Sequence, residues 1–209
     1  MSIVALAITL LKFYQFRAVR VGDRRTAREA LAFHRAGRSS EALDLLAGAR
    51  NPTAEVLALA IRGQLCGDLA EATVREEVAR VGADLLHELR RYLRPLEVIA
   101  SLAPLLGLFG TVLGMIEAFQ RLEQAGNQVN PAILSGGIWE ALLTTAVGLA
   151  VAIPTVAVLN WLERTVDCLG HEMESAVTQV FTGGLTDRVE EDNSRELARL
   201  RPAAVAPGE

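Results

Sequence analysis

The sequence predicts an all-α membrane protein in which three transmembrane helices join long helices that extend into the cytoplasm. Three observations carry this reading. Residues 98–116, between Glu97 and Glu117, hold no charged side chain, and neither do residues 141–162, between Glu140 and Glu163. As helices these runs would be about 28 Å and about 33 Å long, enough to cross a hydrocarbon core of about 30 Å. A third apolar run, Ser2 to Leu11, opens the chain. Composition removes other classes. A hydrophobic fraction of 51% excludes disorder for most of the 209 residues. Cys66 and Cys168 are the only cysteines and fit no disulfide scaffold, zinc spacing or redox motif. The net charge of −4 gives no nucleic-acid signal.

The first span is assigned to residues 1–16. From Ser2 to Phe16 it would measure about 22 Å, so it is short, tilted, or begun late. No basic segment precedes it and no small-residue cleavage site follows, which argues against a signal peptide. An interfacial amphipathic helix is the alternative. Lys12, Arg17 and Arg20 suit a membrane exit, where long cations snorkel to the interface.

Residues 17–97 read as a cytoplasmic helical domain. Short helices are expected around Ala30–Phe33 and Ala42–Leu46. Asn51-Pro52 reads as an N-cap with proline at the first helical position, and Gly63 and Gly67 punctuate that helix's end. From about Leu69 to Leu93 an apolar stripe runs through Val74, Val78, Val81, Leu85, Leu89 and Leu93 at helical spacing. The second span is 98–119, and 120–137 is a periplasmic loop rich in Gly, Asn and Pro turn signals. The third span is 138–162. Residues 163–186 continue the helix into the cytoplasm until Gly183-Gly184 ends it, and 187–209 is a flexible tail. Arginines cluster after the first span (Arg17, Arg20, Arg24, Arg25, Arg28) and before the second (Arg90, Arg91, Arg94), while the loop has only Arg121. The positive-inside rule then places the N-terminus in the periplasm and the C-terminus in the cytoplasm.

Both long spans carry a face stripped of bulk. On the second it is Ala103, Gly107, Gly110, Gly114 and Ala118; on the third, Ala141, Thr145, Gly148, Ala152 and Thr155. Small stripes let backbones approach closely in lipid, so a tightly packed homo-oligomer is expected. Pro104 and Pro154 should bend their helices or free carbonyls.

The few polar groups at depth are Thr111, Thr144, Thr145 and Thr155, with Glu117 and Glu140 near the outer ends. A membrane threonine has a bland reading, a hydroxyl bonded back to its own helix. A carboxylate at Glu140 is costly unless wetted, paired or protonated; its bland reading is an N-terminal charge favoured by the helix dipole. Thr144 shares the Glu140 face, one turn on, whereas Thr145 lies about 140° round from Glu140.

APLLGLFGTVLGMIEAF followed by GGIWEALLTTAVGLAVAIPTVAVLNWL resembles the paired signature of the MotA/TolQ/ExbB proton-channel family, closer to the ExbB/TolQ branch than to flagellar MotA. The resemblance covers roughly 95–182. It implies a multi-pass subunit of the bacterial inner membrane, five copies of which surround two single-span ExbD/TolR-like partners carrying a membrane Asp. The ring would conduct H+ inward and drive a TonB- or TolA-like transducer, with no cofactor and no metal. By the same resemblance Thr111, Thr145 and Glu140 match the family's proton-pathway positions; Thr144, which shares the Glu140 face, is a candidate for further polar lining. The first span departs from the family, which usually has a longer apolar stretch before the Lys that resembles Lys12.

A hydroxyl donates and accepts protons but holds no charge at neutral pH, so the implied path needs the partner's carboxyl. An enzyme is not expected. His34, His87 and His171 sit in cytoplasmic segments without catalytic spacing, and no HExxH, GxSxG or P-loop is present. The alternative function is a non-conducting membrane scaffold.

Overall fold

In a computed structural model the described backbone covers residues 2–124 and 131–200, with side chains described for 2–124 and 134–183. The described residues are helical, with no strand: α1 Ser2–Ala18, α2 Arg24–Arg35, α3 Ser39–Ala47, α4 Pro52–Leu65, α5 Glu71–Arg90, α6 Leu93–Gln124 and α7 Pro131–Leu200. They form two compact units. One comprises residues 1–18 and 86–168, the other 19–85 and 169–209.

The first unit contains α1, the end of α5, α6 and the apolar half of α7. Stretches of helix within Glu71–Gln124 and Leu134–Gly183 are long and apolar enough to cross a membrane. Their outward faces bear Leu105, Leu108, Phe109, Leu142 and Ile153, all well over a third exposed. A continuous face of that kind suits lipid or other helices, not water. α1 has 17 residues, about 25 Å of helix. Its Phe13 stacks on Trp161 of α7 with ring centroids 5.6 Å apart.

Lys12 does not snorkel. It is wholly buried, and its Nζ donates to the Leu89 carbonyl at 2.8 Å and to Gln15 Oε1 at 2.9 Å. Leu89 lies in the last turn of α5, where carbonyls lack intrahelical partners and the helix dipole favours a cation. The apolar stripe therefore belongs to two helices. α5 stops at Arg90, and α6 starts after Tyr92, which takes a left-handed φ of 68°. That conformation costs a non-glycine residue about 1–2 kcal/mol, so neighbouring contacts must hold it.

The second unit packs α2, α3, α4, most of α5 and the far part of α7. Ala30, Ala42, Leu57, Ala60, Ile61, Val78, Leu169 and Met173 are buried in it. Alanines dominate the short helices, so the helices approach closely. Gly63 does not end α4. It sits inside the helix, where an added methyl would lie 2.2 Å from Val74 Cγ1, and the turn is made by Gly67 at φ 61°. Gly183 likewise does not end α7, which runs on to Leu200. Its φ lies outside the left-handed region that a glycine cap needs, and although it is buried, an added methyl would meet only the Arg35 stem of α2, at an ordinary 4.0 Å. At Gly63, by contrast, glycine makes room. The loop between the long spans is also shorter than its turn signals imply, because α6 continues to Gln124 and α7 begins at Pro131. Of the expected tail 187–209, residues 187–200 are helical backbone and 201–209 lie outside the described residues.

Asn51 ties this unit together. Its Oδ1 accepts from the Thr53 N–H at 2.8 Å, while its Nδ2 donates to the Asp23 carbonyl at 2.7 Å and to that of Arg20, whose φ is 48°. The side chain is almost fully buried, so truncation would leave three backbone groups short of partners. Asn51→Ala should cost about 2–3 kcal/mol, read as a lowered unfolding midpoint of the detergent-solubilised protein. Asn51→Asp keeps the cap acceptor but sets a buried carboxylate oxygen against two carbonyl oxygens, and should cost at least as much.

Candidate functional site in the membrane helices

α6 and α7 run antiparallel at backbone contact. A methyl added at Gly148 would lie 2.7 Å from the Ala103 carbonyl oxygen and 3.0 Å from Gly107 Cα. One added at Gly107 would lie 3.1 Å from Thr145 Cα and 3.2 Å from the Thr144 carbonyl oxygen. Further along, Gly114 faces Ala141 at 3.0 Å and Gly137 faces the Ala118 Cβ at 2.4 Å, measured the same way. The small stripe of α6 is thus filled by the small stripe of α7 in the same chain. The sequence reading assigned these stripes to contacts between copies; within one chain their first partner is each other. Ala103, Gly107, Ala118, Ala141 and Ala152 are buried in the isolated chain.

Where the backbones come closest, the threonines meet them. Thr145 Oγ1 donates to the Gly107 carbonyl at 3.1 Å, and Thr144 Oγ1 lies 3.3 Å from the same oxygen and 2.7 Å from the Ala141 carbonyl. Gly110 faces Thr144, whose Oγ1 would stand 2.6 Å from a methyl there. Thr144, Thr145, Gly107 and Gly110 therefore form one cluster. Thr111 lies at the edge of the α6 stripe, half-buried, its hydroxyl donating to Leu108 at 2.6 Å. Thr155 is buried and donates to Val151 at 2.7 Å. Beside the cluster opens a groove of about 270 Å³ lined by Leu106, Thr144, Val147 and Val151, with Ser2 of α1 at its rim.

The carboxylates stand apart from this cluster. Glu140 is exposed on α7, one turn before Thr144, and Glu117 is exposed and paired with Arg121. No group of three His, Cys, Asp or Glu side chains able to hold a metal occurs among the described residues. His34 lies in the second unit, its ring nitrogens 2.9 Å from Ser39 Oγ and 2.9 Å from Gln64 Oε1, so it joins α2, α3 and α4. His87 and His171 are exposed.

Two features escaped sequence reasoning. One is the Gly107 carbonyl as shared acceptor, which only the pairing of the two stripes reveals. The other is the burial of Lys12, for which a lone cation inside an apolar run was the available signal.

The family model described as the MotA/TolQ/ExbB proton channel family matches residues 48–175. The Biopolymer transport protein ExbB of Neisseria meningitidis serogroup A is 31% identical over 183 residues, covering 84% of this chain and 83% of that one. The Biopolymer transport protein exbB1 of Vibrio cholerae is 36% identical over 108 residues, 49% of this chain and 47% of that one, so the chain spans about half of that relative's length. The Tol-Pal system protein TolQ of Haemophilus influenzae is 38% identical over 87 residues, 42% of this chain and 38% of that one.

The geometry separates two substitutions. Gly148→Ala drives a methyl into backbone, which cannot move without parting the helices. Gly136→Ala meets nothing within 4 Å. Gly148→Ala should cost about 1–3 kcal/mol by overpacking, and Gly136→Ala next to nothing. Thermal unfolding of the detergent-solubilised protein ranks them; equal midpoints would refute the pairing.

Proposed function

This chain belongs to the MotA/TolQ/ExbB proton channel family, in its ExbB/TolQ branch, and from that premise we propose that it is the multi-span subunit of an inner-membrane energy-transducing complex. In this reading five copies form a ring around an ExbD/TolR-like single-span partner. H+ flows inward along the ring and powers a TonB- or TolA-like transducer for outer-membrane transport or envelope maintenance. α1, α6 and α7 each span the bilayer, with the N-terminus periplasmic and the C-terminus cytoplasmic.

The observation that carries the proposal is the threonine cluster at the tightest point between the two spans. A pure packing seam would be served by alanine. Here Thr144 and Thr145 bring two hydroxyls to the Gly107 carbonyl, and Thr111 adds a third on the edge of the same stripe. Each hydroxyl gives its proton to a carbonyl and keeps lone pairs that can accept another. Such a surface passes a proton but does not store it. The charge-holding group is the partner's membrane Asp, whose protonation lets it move along apolar wall. Glu140, exposed one turn nearer the outer end, collects protons at the mouth. The electrical part of the driving force is about 2.3 kcal/mol per charge per 100 mV.

A non-conducting scaffold is the second reading. It is favoured by the same hydroxyls, since all of them already satisfy backbone carbonyls and leave no polar group of the seam in need of a ligand.

Valine keeps the shape of threonine without the hydroxyl. An interhelical hydrogen bond in a membrane contributes on average about 0.6 kcal/mol, so the substitution should leave the assembly standing. Thr111→Val and Thr145→Val should each abolish proton flux in liposomes holding the protein with its partner, while a pull-down still recovers the complex. Thr155→Val should be mild. Full flux in the double variant would remove the threonines from the path, and a wild-type complex without flux would leave the scaffold reading. Glu140→Gln should preserve assembly and lower flux; if Glu140→Gln and Glu140→Ala both conduct normally, Glu140 is a helix-end charge.

A further inference from the structure

Lys12 is the one lysine in a chain whose other 20 basic residues are all arginine. It is also wholly buried, the position where a cation is hardest to keep. Its hydrogen bonds go to two neutral acceptors, the Leu89 carbonyl and Gln15 Oε1. The Phe16 and Tyr92 rings flank it, each centroid 5.9 Å from Nζ. Phe16 in turn lies against Trp161 at 6.5 Å. These contacts come from α1, from the end of α5, and from Tyr92, the left-handed residue just before α6.

We propose that Lys12 is the clasp of the elbow between α5 and α6, and that the site requires an ammonium. The clasp works in two ways. Nζ satisfies an orphan carbonyl at the negative end of α5. The same charge attracts the face of Tyr92 and so holds that residue in a backbone conformation it would otherwise leave. α6 departs from this elbow, so Lys12 sets where the Gly107–Thr111 segment meets α7. It is a positioning residue, acting on the threonine cluster through the helix. An ammonium is compact and directs its N–H groups tetrahedrally; a guanidinium is a broad plane that needs an edge-on acceptor. A fully enclosed space that offers one backbone carbonyl and one side-chain amide oxygen suits the first and not the second.

The consequence for flux rests on the function proposed above, but the placement does not, and the experiment reads them separately. Reductive methylation of the folded, detergent-solubilised full chain should leave Lys12 unmodified, whereas the unfolded chain reacts there; fragment mass spectrometry reads the site. Ready methylation in the folded chain would overturn the placement. Lys12→Met should lower proton flux with the partner roughly ten-fold, the scale that losing one charged hydrogen bond sets on an equilibrium, with the oligomer retained. Lys12→Arg should fail to restore it; an arginine variant with wild-type flux would overturn the ammonium requirement. Glycine adopts the left-handed elbow without strain. Tyr92→Gly should therefore recover part of the flux and of the unfolding midpoint in the Lys12→Met background, while in the wild-type background it brings no gain. Additive effects of the two substitutions on the midpoint would overturn the clasp. If the methylation and midpoint results hold but the variants conduct as the wild type does, the elbow stands and its effect on the threonine cluster fails; a wild-type complex that conducts nothing would instead sink the channel reading.

Discussion

The close approach of α6 to α7 at Gly107 and Gly148 is the constraint on which the membrane unit depends. Lipid gives two apolar helices no hydrophobic reason to associate, so their contact rests on dispersion and hydrogen bonding at short range. Both need the backbones to touch. At this crossing an added methyl would stand 2.7 Å from a carbonyl oxygen and 3.0 Å from an α-carbon, so glycine is required by space. The hydroxyls of Thr144 and Thr145 reach the Gly107 carbonyl only because nothing larger than hydrogen lies between. Packing and polar chemistry in this unit therefore have one origin.

The two units solve different solvent problems with a similar vocabulary. In the unit built on α2, α3 and α4, alanines and Gly63 bring helices close, and a buried asparagine supplies the polar cross-links. Its outer surface carries arginine–carboxylate pairs such as Arg75–Glu71 and Arg80–Glu77. Hydrogen bonds from Arg80 hold the Glu77 carboxyl below the usual carboxylate range. These exposed pairs add little to stability, as such pairs usually do; they keep the helices soluble. In the membrane unit the outward faces carry leucine, valine and phenylalanine instead.

Much of the architecture was legible in the sequence because two signals are strong. A charge-free run of span length has few alternatives, and a one-residue N-cap followed by proline marks the start of α4 well. What was not legible concerns partners. A stripe of small residues says that something comes close, not what; Gly107 could have faced a neighbouring copy as readily as Gly148 of its own chain. Gly63 and Gly183 were read as terminators for the same reason. Without knowing that Val74 lies against Gly63, a glycine needed for space looks like one needed for its φ. Lys12 was misplaced because snorkelling is the cheaper outcome for an isolated helix; only the open end of α5 makes burial favourable. At the site, threonine types and spacing were readable, but the direction of each hydroxyl was not.

That direction bears on how such a site can work. Every threonine hydroxyl in the two spans spends its proton on a carbonyl, so each must turn before it can donate elsewhere. Membrane hydrogen bonds between helices contribute about 0.6 kcal/mol on average and about 1.7 at most. One charge moving through 100 mV releases about 2.3 kcal/mol. An interhelical bond such as that from Thr145 to the Gly107 carbonyl thus contributes less than the electrical energy a single proton brings. On the proposed reading, the bonds fix the hydroxyls when the site is idle without trapping them when it turns over. The backbone contact beneath them is another matter. Parting Gly107 from Gly148 would break many short contacts together, so the helices stay paired while the hydroxyls move.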